Sequence, residues 1–217
     1  METCPECIVW TDVLTAVGTV GAVVVALFGY FLPKLFPPQL RVRIADVKGS
    51  RQRVQLLDRS GAIPLLTRDT WARYYHVKVT NVRRWTKAHN VQVLLLRLEE
   101  ETTTGWVESW AGGGIPLVWQ HQDATGPIRN VGPAAYADLV HVVQDVDENR
   151  AKWLELTLTF APYGVELRYR EPCALRLTLQ ARSEESDSEQ LVVVVRWNGQ
   201  WHDGATEMAQ HVRLEIQ

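Results

Sequence analysis

The sequence predicts a mainly β protein: an antiparallel β-sandwich, immunoglobulin-like in type, preceded by one N-terminal transmembrane helix. Two observations lead to this prediction. A long stretch near the N-terminus contains no charged residue, whereas the rest of the chain alternates apolar and polar residues in short runs. Turn-forming glycine, proline and asparagine residues separate these runs. A small barrel is the rival architecture.

The uncharged stretch is predicted to span a membrane. Residues 13–32 make about 30 Å of helix at 1.5 Å per residue, which matches the hydrocarbon thickness of a bilayer. Eleven of them are Val, Leu or Phe. Pro33, Pro37 and Pro38 follow and end the helix. Three segments are therefore expected: a tail over 1–12, the helix and its exit over 13–36, and the β domain over 37–217.

Two alternatives for this stretch fit less well. A cleaved secretion signal needs basic residues before its apolar part and a small-residue cleavage site after it, and the sequence provides neither. A buried core helix would carry a polar stripe or be shorter. We therefore predict an uncleaved, single-pass anchor.

The flanking charges predict the orientation of the anchor. Basic residues are absent before it, and five follow within 20 positions of residue 32: Lys34, Arg41, Arg43, Lys48 and Arg51. Because basic flanks stay on the cytoplasmic side, the β domain is expected in the cytoplasm and the N-terminus outside. Cys4 and Cys7 would then face an oxidising compartment, where they can pair with each other or with a second chain.

Small residues recur along one side of the predicted helix. Gly18, Ala22 and Ala26 follow one another at intervals of four, and Gly29 continues the row. Such a row lets helices approach closely in lipid, where association depends on packing. It predicts a helix–helix seam and, through it, a homo-oligomer. Ordinary use of Gly and Ala in spanning helices is the alternative.

The composition of the chain supports a folded domain. Of 217 residues, 46% are apolar, enough for a sizeable core. Strand patterns begin with LRVRI, and about eight further runs follow it. The Cys-Trp-Cys spacing of true immunoglobulin domains is absent, which limits the prediction to an immunoglobulin-like sandwich. Three cysteines provide no disulfide framework for the domain. The single CPEC pair lacks the second pair that a structural zinc site needs, so a metal would require two chains contributing two Cys each, and no metal or cofactor is predicted.

Two smaller predictions concern acidic and aromatic residues of the domain. The three glutamates at 99–101 are interpreted as a solvated turn. Trp106 and Trp110 lie an even interval apart and should share a face of an extended segment. Some of the other tryptophans in or beside strands are expected in the core: Trp71, Trp119, Trp153, Trp197 and Trp201.

The sequence contains no evident catalytic constellation. Its histidines are scattered without the spacing of a metal or deaminase site: His76, His89, His121, His141, His202 and His211. His121 and Asp123 can meet across a turn, but such neighbours more often make a surface hydrogen bond. Neither a phosphate-binding glycine loop nor a nucleophile elbow occurs. The protein is therefore predicted not to be an enzyme.

The segment NVRRWTKAHN is the strongest candidate for ligand binding. Arg83, Arg84 and Lys87 surround Trp85 in a predicted loop between two strands. Guanidinium groups beside an aromatic ring can bind phosphate or stack on a base, and near an anchor they can contact anionic lipid. A polar hairpin loop, with Trp85 folded onto the edge of the sandwich, is the alternative.

Five segments of the chain carry a resemblance: the anchor TAVGTVGAVVVALFG, the exit FPPQLRV, the segment VKVTNVRRWTKAHNVQVLL, and the later PLVW and IRNVGPAAYADL. In these segments the chain resembles a recurring bacterial group of small uncharacterised proteins. The resemblance implies a single-span membrane protein with a cytoplasmic, C-terminal immunoglobulin-like β domain. It implies no catalytic residue.

These observations predict a membrane-anchored, non-enzymatic interaction protein that presents its β domain at the inner membrane surface to a protein partner. The alternative is a signal-gated membrane effector whose domain binds a small anionic ligand, such as a nucleotide, through Arg83, Arg84 and Lys87. Nucleic acid is not expected as a partner.

Overall fold

The computed structural model describes residues 5–57, 67–120, 126–144 and 152–217, which fall into two compact units, Met1–Pro38 and Gln39–Gln217. The first unit is one long helix, α1 (Pro5–Leu35). It begins within the predicted tail, at a proline, which suits the first turn of a helix because its missing N–H has no partner to lose there. The apolar N-terminal helix is thus confirmed.

Part of α1 is long and apolar enough to cross a bilayer. Trp10–Phe31 has a mean hydropathy of 2.1, and its side chains are exposed. A signal sequence meets the same criteria of length and composition. The hydroxyls of Thr15 and Thr19 donate to the carbonyl oxygens of Thr11 and Thr15, at 2.8 Å each. Both polar side chains are therefore satisfied within the helix itself.

The second unit is mainly β, as predicted, and contains two antiparallel sheets. The first sheet consists of β1 (Leu40–Ile44), β2 (Ser50–Leu57), β3 (Thr67–Asn81), β6 (Val118–Trp119), β8 (Ala134–Gln144), β9 (Lys152–Leu156) and β10 (Arg168–Tyr169). The second consists of β4 (Ala88–Thr102), β5 (Gly105–Pro116), β7 (Arg129–Val131), β11 (Cys173–Arg182), β12 (Leu191–Trp197) and β13 (Val212–Ile216), with a short helix α2 (Ala205–His211) before β13.

The strand order places β3 and β4 in different sheets. The first sheet runs β1-β3-β8-β9-β10, with β2 also on β3 and β6 on β8. The second runs β13-β12-β11-β4-β5, with β7 on β4. The loop over residues 82–87 therefore connects the two sheets. It is the loop in which sequence analysis places the candidate ligand-binding residues.

Alternating apolar residues from both sheets meet in one core. Val77 and Val79 of the first sheet are fully buried, as are Leu98, Leu175 and Val195 of the second. The arrangement fits a sandwich or a curled half-barrel. Of the predicted core tryptophans, some are buried and Trp71 is exposed; the buried ones are Trp119, Trp153, Trp197 and Trp201.

A β-bulge overturns the prediction for Trp106 and Trp110. In the pairing of β4 with β5, Leu98 lies opposite Trp110 but Glu99 lies opposite Glu108, so Ser109 is an extra residue. An extra residue reverses the alternation of faces. Trp110 consequently packs against the core, whereas Trp106 lies beside arginines on the opposite face.

The prediction of a solvated turn at 99–101 is also wrong. These glutamates lie within β4 and pair with β5 and β11. The side chain of Glu99 forms an ion pair with Arg176 of the adjacent strand β11, and that of Glu101 pairs with Arg196 of β12, one strand further away. Because arginines that are distant in the sequence pair with these glutamates, an acidic run can occupy an inner strand of the sheet.

Candidate functional site

The predicted ligand-binding loop is held in one shape by a buried asparagine. Asn81 is 2% exposed and ends β3. Its Nδ2 donates to the carbonyl oxygen of Thr86 at 2.7 Å, and its Oδ1 accepts from the backbone N–H of Arg83 at 3.1 Å. The N–H of Thr86 donates to the carbonyl of Arg83 at 3.0 Å and closes a turn. The loop is thus preorganised.

The side chains of this loop face outward. Trp85 is 62% exposed, Arg84 and Lys87 are exposed, and Arg83 is half-buried. Most of the indole of Trp85 therefore faces solvent rather than the edge of a sheet. At the base of the loop, the backbone N–H of Val82 donates to the carbonyl of Gln39 at 2.8 Å. The loop consequently lies beside the first residue of the β unit.

Further basic side chains extend from the loop over the first sheet. Arg41 and Arg43 are exposed on β1, and Lys78 lies opposite Arg43 on β3. Within the described parts of the chain, these three side chains form no ion pair with an acidic residue. We call the six residues the basic patch: Arg41, Arg43, Lys78, Arg83, Arg84 and Lys87.

Three residues far apart in the sequence form a hydrogen-bonded row on the first sheet, on the face opposite the core. The Oγ of Ser50 lies 2.9 Å from Nε2 of His76, and Nδ1 of His76 lies 2.8 Å from Oδ1 of Asp138. They belong to the adjacent strands β2, β3 and β8. A hydroxyl, an imidazole and a carboxylate in this order form the constellation that activates a serine nucleophile on unrelated folds.

Irregular pairing brings the row together. β1 and β2 both pair with β3 but are separated by residues 45–49, and the register of β3 against β8 shifts between Tyr75 and His76. Gly49 has φ +65°, and a Cβ there would lie 2.9 Å from the carbonyl oxygen of Tyr74. Only glycine fits such a position without strain. Bulges of this kind often aim a side chain at a functional site.

A buried arginine holds the segment before Ser50. The side chain of Arg73, a residue 2% exposed, donates through Nη1 to the carbonyl oxygens of Lys48 and Gly49 at 3.2 Å each. Its Nη2 donates to the carbonyl of Asp203 at 2.7 Å. Because charged donors make strong hydrogen bonds, Arg73 restrains the turn that positions Ser50.

The surroundings of the row are partly dry and polar. The side chains of His76 and Asp138 are 8% and 14% exposed, and Nε2 of Gln52 lies 3.4 Å from Oγ of Ser50. The ring of Tyr74 is stacked with the imidazoles of His76 and His141, whose centroids lie 6.2 and 4.9 Å away. Burial, followed by the charges of Asp138 and Glu155, raises the pKa of Tyr74, whereas burial lowers the pKa of His141.

The outer face of the second sheet carries a different polar row. Arg176 donates through Nε to Oε2 of Glu99 at 2.6 Å and through Nη2 to its other oxygen, and Arg196 makes a similar pair with Glu101. The guanidinium carbons of these arginines lie 4.8 and 5.8 Å from the ring centre of Trp106. The hydrogen bond from Arg176 lowers the pKa of Glu99. This row borders a groove of about 550 Å³.

The row on the first sheet is not predicted by any pattern in the sequence. His76 lies 26 residues from Ser50 and 62 from Asp138, so no local spacing relates them. The available signal was the alternation in YYHVKVTN, which puts His76 on the face opposite Tyr75 and Val77. His121, Asp123 and Cys4 lie outside the described residues, as does the side chain of Cys7. The seam residues Gly18, Ala22, Ala26 and Gly29 are exposed on α1, and their association remains a prediction.

Comparison with known proteins does not supply a function. No family model, curated protein or solved structure matches the chain. Among the residues that the structure describes, no group of three His, Cys, Asp or Glu side chains is placed to hold a metal ion. The basic patch and the Ser50–His76–Asp138 row are therefore the two features that bear on function.

Proposed function

We propose that the chain is a membrane-anchored interaction protein whose α1 holds the β domain at the cytoplasmic surface of a bilayer. The length and hydropathy of Trp10–Phe31 support the anchor, and the basic residues that follow it support the orientation. The row of small residues supports association of α1 with a second copy. In this proposal, the domain also presents its surface to a protein partner.

One observation carries the contact with the membrane surface. Gln39 follows the end of α1 by four residues, which reach at most about 14 Å when extended. Its carbonyl accepts the hydrogen bond from Val82, at the base of the basic loop. If α1 spans the bilayer, this covalent limit keeps the loop near the headgroups. A tryptophan flanked by arginines and lysine is well suited to that environment, especially to anionic lipid.

The experiment uses the full chain in vesicles of phosphatidylcholine with or without 30 mol% phosphatidylserine. Brominated lipids quench tryptophans near the bilayer, and subtracting the signal of Trp85→Phe isolates Trp85. We expect stronger quenching of Trp85 with phosphatidylserine, and its loss in Arg84→Glu/Lys87→Glu because like charges repel the lipid. Trp106→Phe, on the other sheet, is the matched control. This variant should show the same difference in Trp85 quenching between vesicles with and without phosphatidylserine.

Two outcomes separate the parts of this proposal. If the chain is extracted from the vesicles by alkaline carbonate, α1 is not a spanning anchor. If the chain resists extraction but Trp85 is quenched equally in both lipids, the anchor holds and the headgroup contact does not. After a reductant has opened any disulfide of Cys7, labelling of its thiol in intact cells by a reagent that cannot enter them tests the orientation. Protection of the reduced Cys7 would reverse it.

The signal-gated effector is the second candidate because the same loop presents Arg83, Arg84 and Lys87 in a fixed turn. Titration of the full chain with nucleotides should then give saturable binding that is lost when these three residues become Ala. Binding that persists in the triple variant removes this candidate. The described groove borders Glu99 and Arg176 instead of the loop, which favours the membrane-surface role.

We extend the proposal to the architecture of the domain. The two sheets share one core, and each strand order ends in two edge strands: β1 and β10 in the first sheet, β5 and β13 in the second. These edges favour an immunoglobulin-like sandwich over a closed barrel, because closure of a barrel would remove them. This architecture agrees with the expected relation to the bacterial group of single-span proteins.

A further inference from the structure

We propose that Ser50 is an activated nucleophile that accepts acyl groups from carboxylic esters, with His76 as its general base. This activity goes beyond the binding role proposed above and departs from the expectation that the protein is not an enzyme. It depends on side chains of the first sheet alone. Its test is therefore independent of whether α1 crosses a membrane.

The hydrogen bonds give each residue a distinct role. With a proton on Nδ1, His76 donates to Asp138, and its Nε2 lone pair accepts the hydroxyl proton of Ser50. Both separations, 2.9 and 2.8 Å, lie within the range for proton transfer and for orientation of the base. Asp138 acts through His76 and is a positioning residue.

The acyl transfer follows from this geometry. The proton of Ser50 passes to Nε2 of His76 while Oγ bonds to the ester carbonyl carbon and forms a tetrahedral oxyanion. The amide of Gln52, 3.4 Å from Oγ, supplies a donor beside that oxyanion. The ester C–O bond then breaks, and the leaving alcohol takes the proton from His76. Water repeats the sequence on the acyl-Ser50, releasing the carboxylic acid and restoring the hydroxyl.

A neighbouring trio on the same face lacks this geometry. The hydroxyl of Thr157 lies 3.1 Å from Nδ1 of His141, but Glu155 is 3.8 Å from Nε2, beyond hydrogen-bond distance. His141 is therefore not oriented by its carboxylate as His76 is. Ser50 also begins a strand at the edge of its sheet and is half-exposed, so an ester can reach its Oγ from solvent. Small activated esters suit such an open position.

The test is covalent labelling of the full-length protein in detergent micelles with a fluorophosphonate. Oγ of Ser50 bonds to phosphorus as the P–F bond breaks, and His76 takes the hydroxyl proton. We expect an adduct on Ser50, identified by peptide mass spectrometry, that is lost in Ser50→Ala. His76→Gln should slow labelling by about 100-fold or more, the usual contribution of a general base. Ser109→Ala, which removes an exposed hydroxyl that donates a hydrogen bond to Glu100, is the matched control.

The role of Asp138 has its own readout. In Asp138→Asn, the ¹⁵N chemical shifts of His76 should report loss of the Nδ1–H tautomer together with slower labelling. Asp138→Glu should restore both in part. Cleavage of p-nitrophenyl acetate by the wild type should show a burst of nitrophenol as acyl-Ser50 accumulates.

Several outcomes overturn the proposal. Absence of an adduct on Ser50 in the wild-type protein does so without reference to any variant. A folded His76→Gln protein, judged by circular dichroism, that labels as fast as the wild type also overturns it. If that variant unfolds, Asp138→Asn provides the same comparison, and an unchanged labelling rate there counts against the proposal.

Discussion

The outer faces of the two sheets both carry polar rows, but they satisfy their hydrogen bonds differently. On the second sheet, Glu99 and Glu101 are paired with arginines through two hydrogen bonds each. On the first sheet, Ser50, His76 and Asp138 form a single file of hydrogen bonds. In the first arrangement, each carboxylate is paired with a guanidinium group of opposite charge. In the second, the hydroxyl of Ser50 faces the imidazole of His76, which the carboxylate of Asp138 orients.

The difference indicates that polarity alone does not identify a functional face. Paired charges lower the pKa of Glu99 and keep both partners ionised, so the second row stabilises the sheet and has little capacity for proton transfer. The first row leaves one hydroxyl beside one basic nitrogen. Two interruptions of the first sheet meet beside Ser50 and His76, and a bulge also lies beside Glu99, so irregular pairing occurs on both faces.

Replacing Ser50 by Cys should give the largest effect, a difference in alkylation rate between the new thiol and the native Cys173. The new thiol would lie beside His76, which favours the thiolate. The native Cys173 is its opposite, because burial followed by the charge of Glu100 raises its pKa to about 12. At neutral pH we expect iodoacetamide to alkylate the Ser50→Cys thiol at least about 100-fold faster than Cys173. Peptide mass spectrometry separates these sites from Cys4 and Cys7.

Ser109→Cys supplies the matched control for this comparison. It places a thiol at an exposed position on the second sheet, next to Glu100 and without a histidine. The Ser50→Cys thiol should react faster than this one despite its lower exposure. Equal rates would mean that His76 does not activate the position.

Replacing Gly49 by Ala should produce the next largest effect. The left-handed φ costs a non-glycine residue about 1–2 kcal/mol, and the contacts at 2.9 Å with the carbonyl of Tyr74 and the ring of Tyr75 add overpacking of about 1–3 kcal/mol. We therefore expect the free energy of unfolding of the β domain to fall by about 2–5 kcal/mol. Denaturant unfolding followed by tryptophan fluorescence measures it, and labelling of Ser50 should slow in the same variant.

Gly164→Ala separates the two contributions. Gly164 has φ +75°, and a Cβ there would meet no atom within 4 Å. This variant should lose about 1–2 kcal/mol, the backbone cost alone, and should label at Ser50 like the wild type. If both glycine variants lose the same stability, the close contacts at Gly49 do not restrain the turn before Ser50.

The smallest effect concerns the ion pairs of the second sheet. Because the folded pKa of Glu99 is lowered, its ionised form stabilises the fold above the ordinary glutamate pKa of about 4.5, and this stabilisation is lost as pH falls through the lowered folded pKa. Glu99→Gln should therefore lower Tm at pH 7 and match the wild type in strong acid. Labelling of Ser50 should not change.

Glu108→Gln is the control for this pH dependence. Glu108 pairs with Arg97 at 3.2 Å, but both side chains are about half exposed. Exposed pairs contribute little to stability because solvent screens them. If Glu108→Gln lowers Tm as much as Glu99→Gln does, the bidentate geometry of the Glu99–Arg176 pair contributes no additional stability.

Prediction from the sequence succeeded where the signal was local and failed where distant strands supplied the partner. The alternation in LRVRI and the uncharged run before it were enough to predict β1 and α1. The placement of Trp106 and Trp110 failed because one extra residue, Ser109, reverses the faces of β5. The glutamates at 99–101 looked solvated because their arginines lie 77 and 95 residues away in the chain.

The sequence by itself determined that an apolar helix precedes a mainly β domain, because hydrophobic length and alternation are properties of neighbouring residues. It also located the basic loop, since Arg83, Arg84, Trp85 and Lys87 are contiguous or nearly so. Only the tertiary structure decided that Ser50 meets His76 and that His76 meets Asp138. Those contacts depend on strand order and on register shifts, which arise when three strands pack side by side and which no short stretch of sequence specifies.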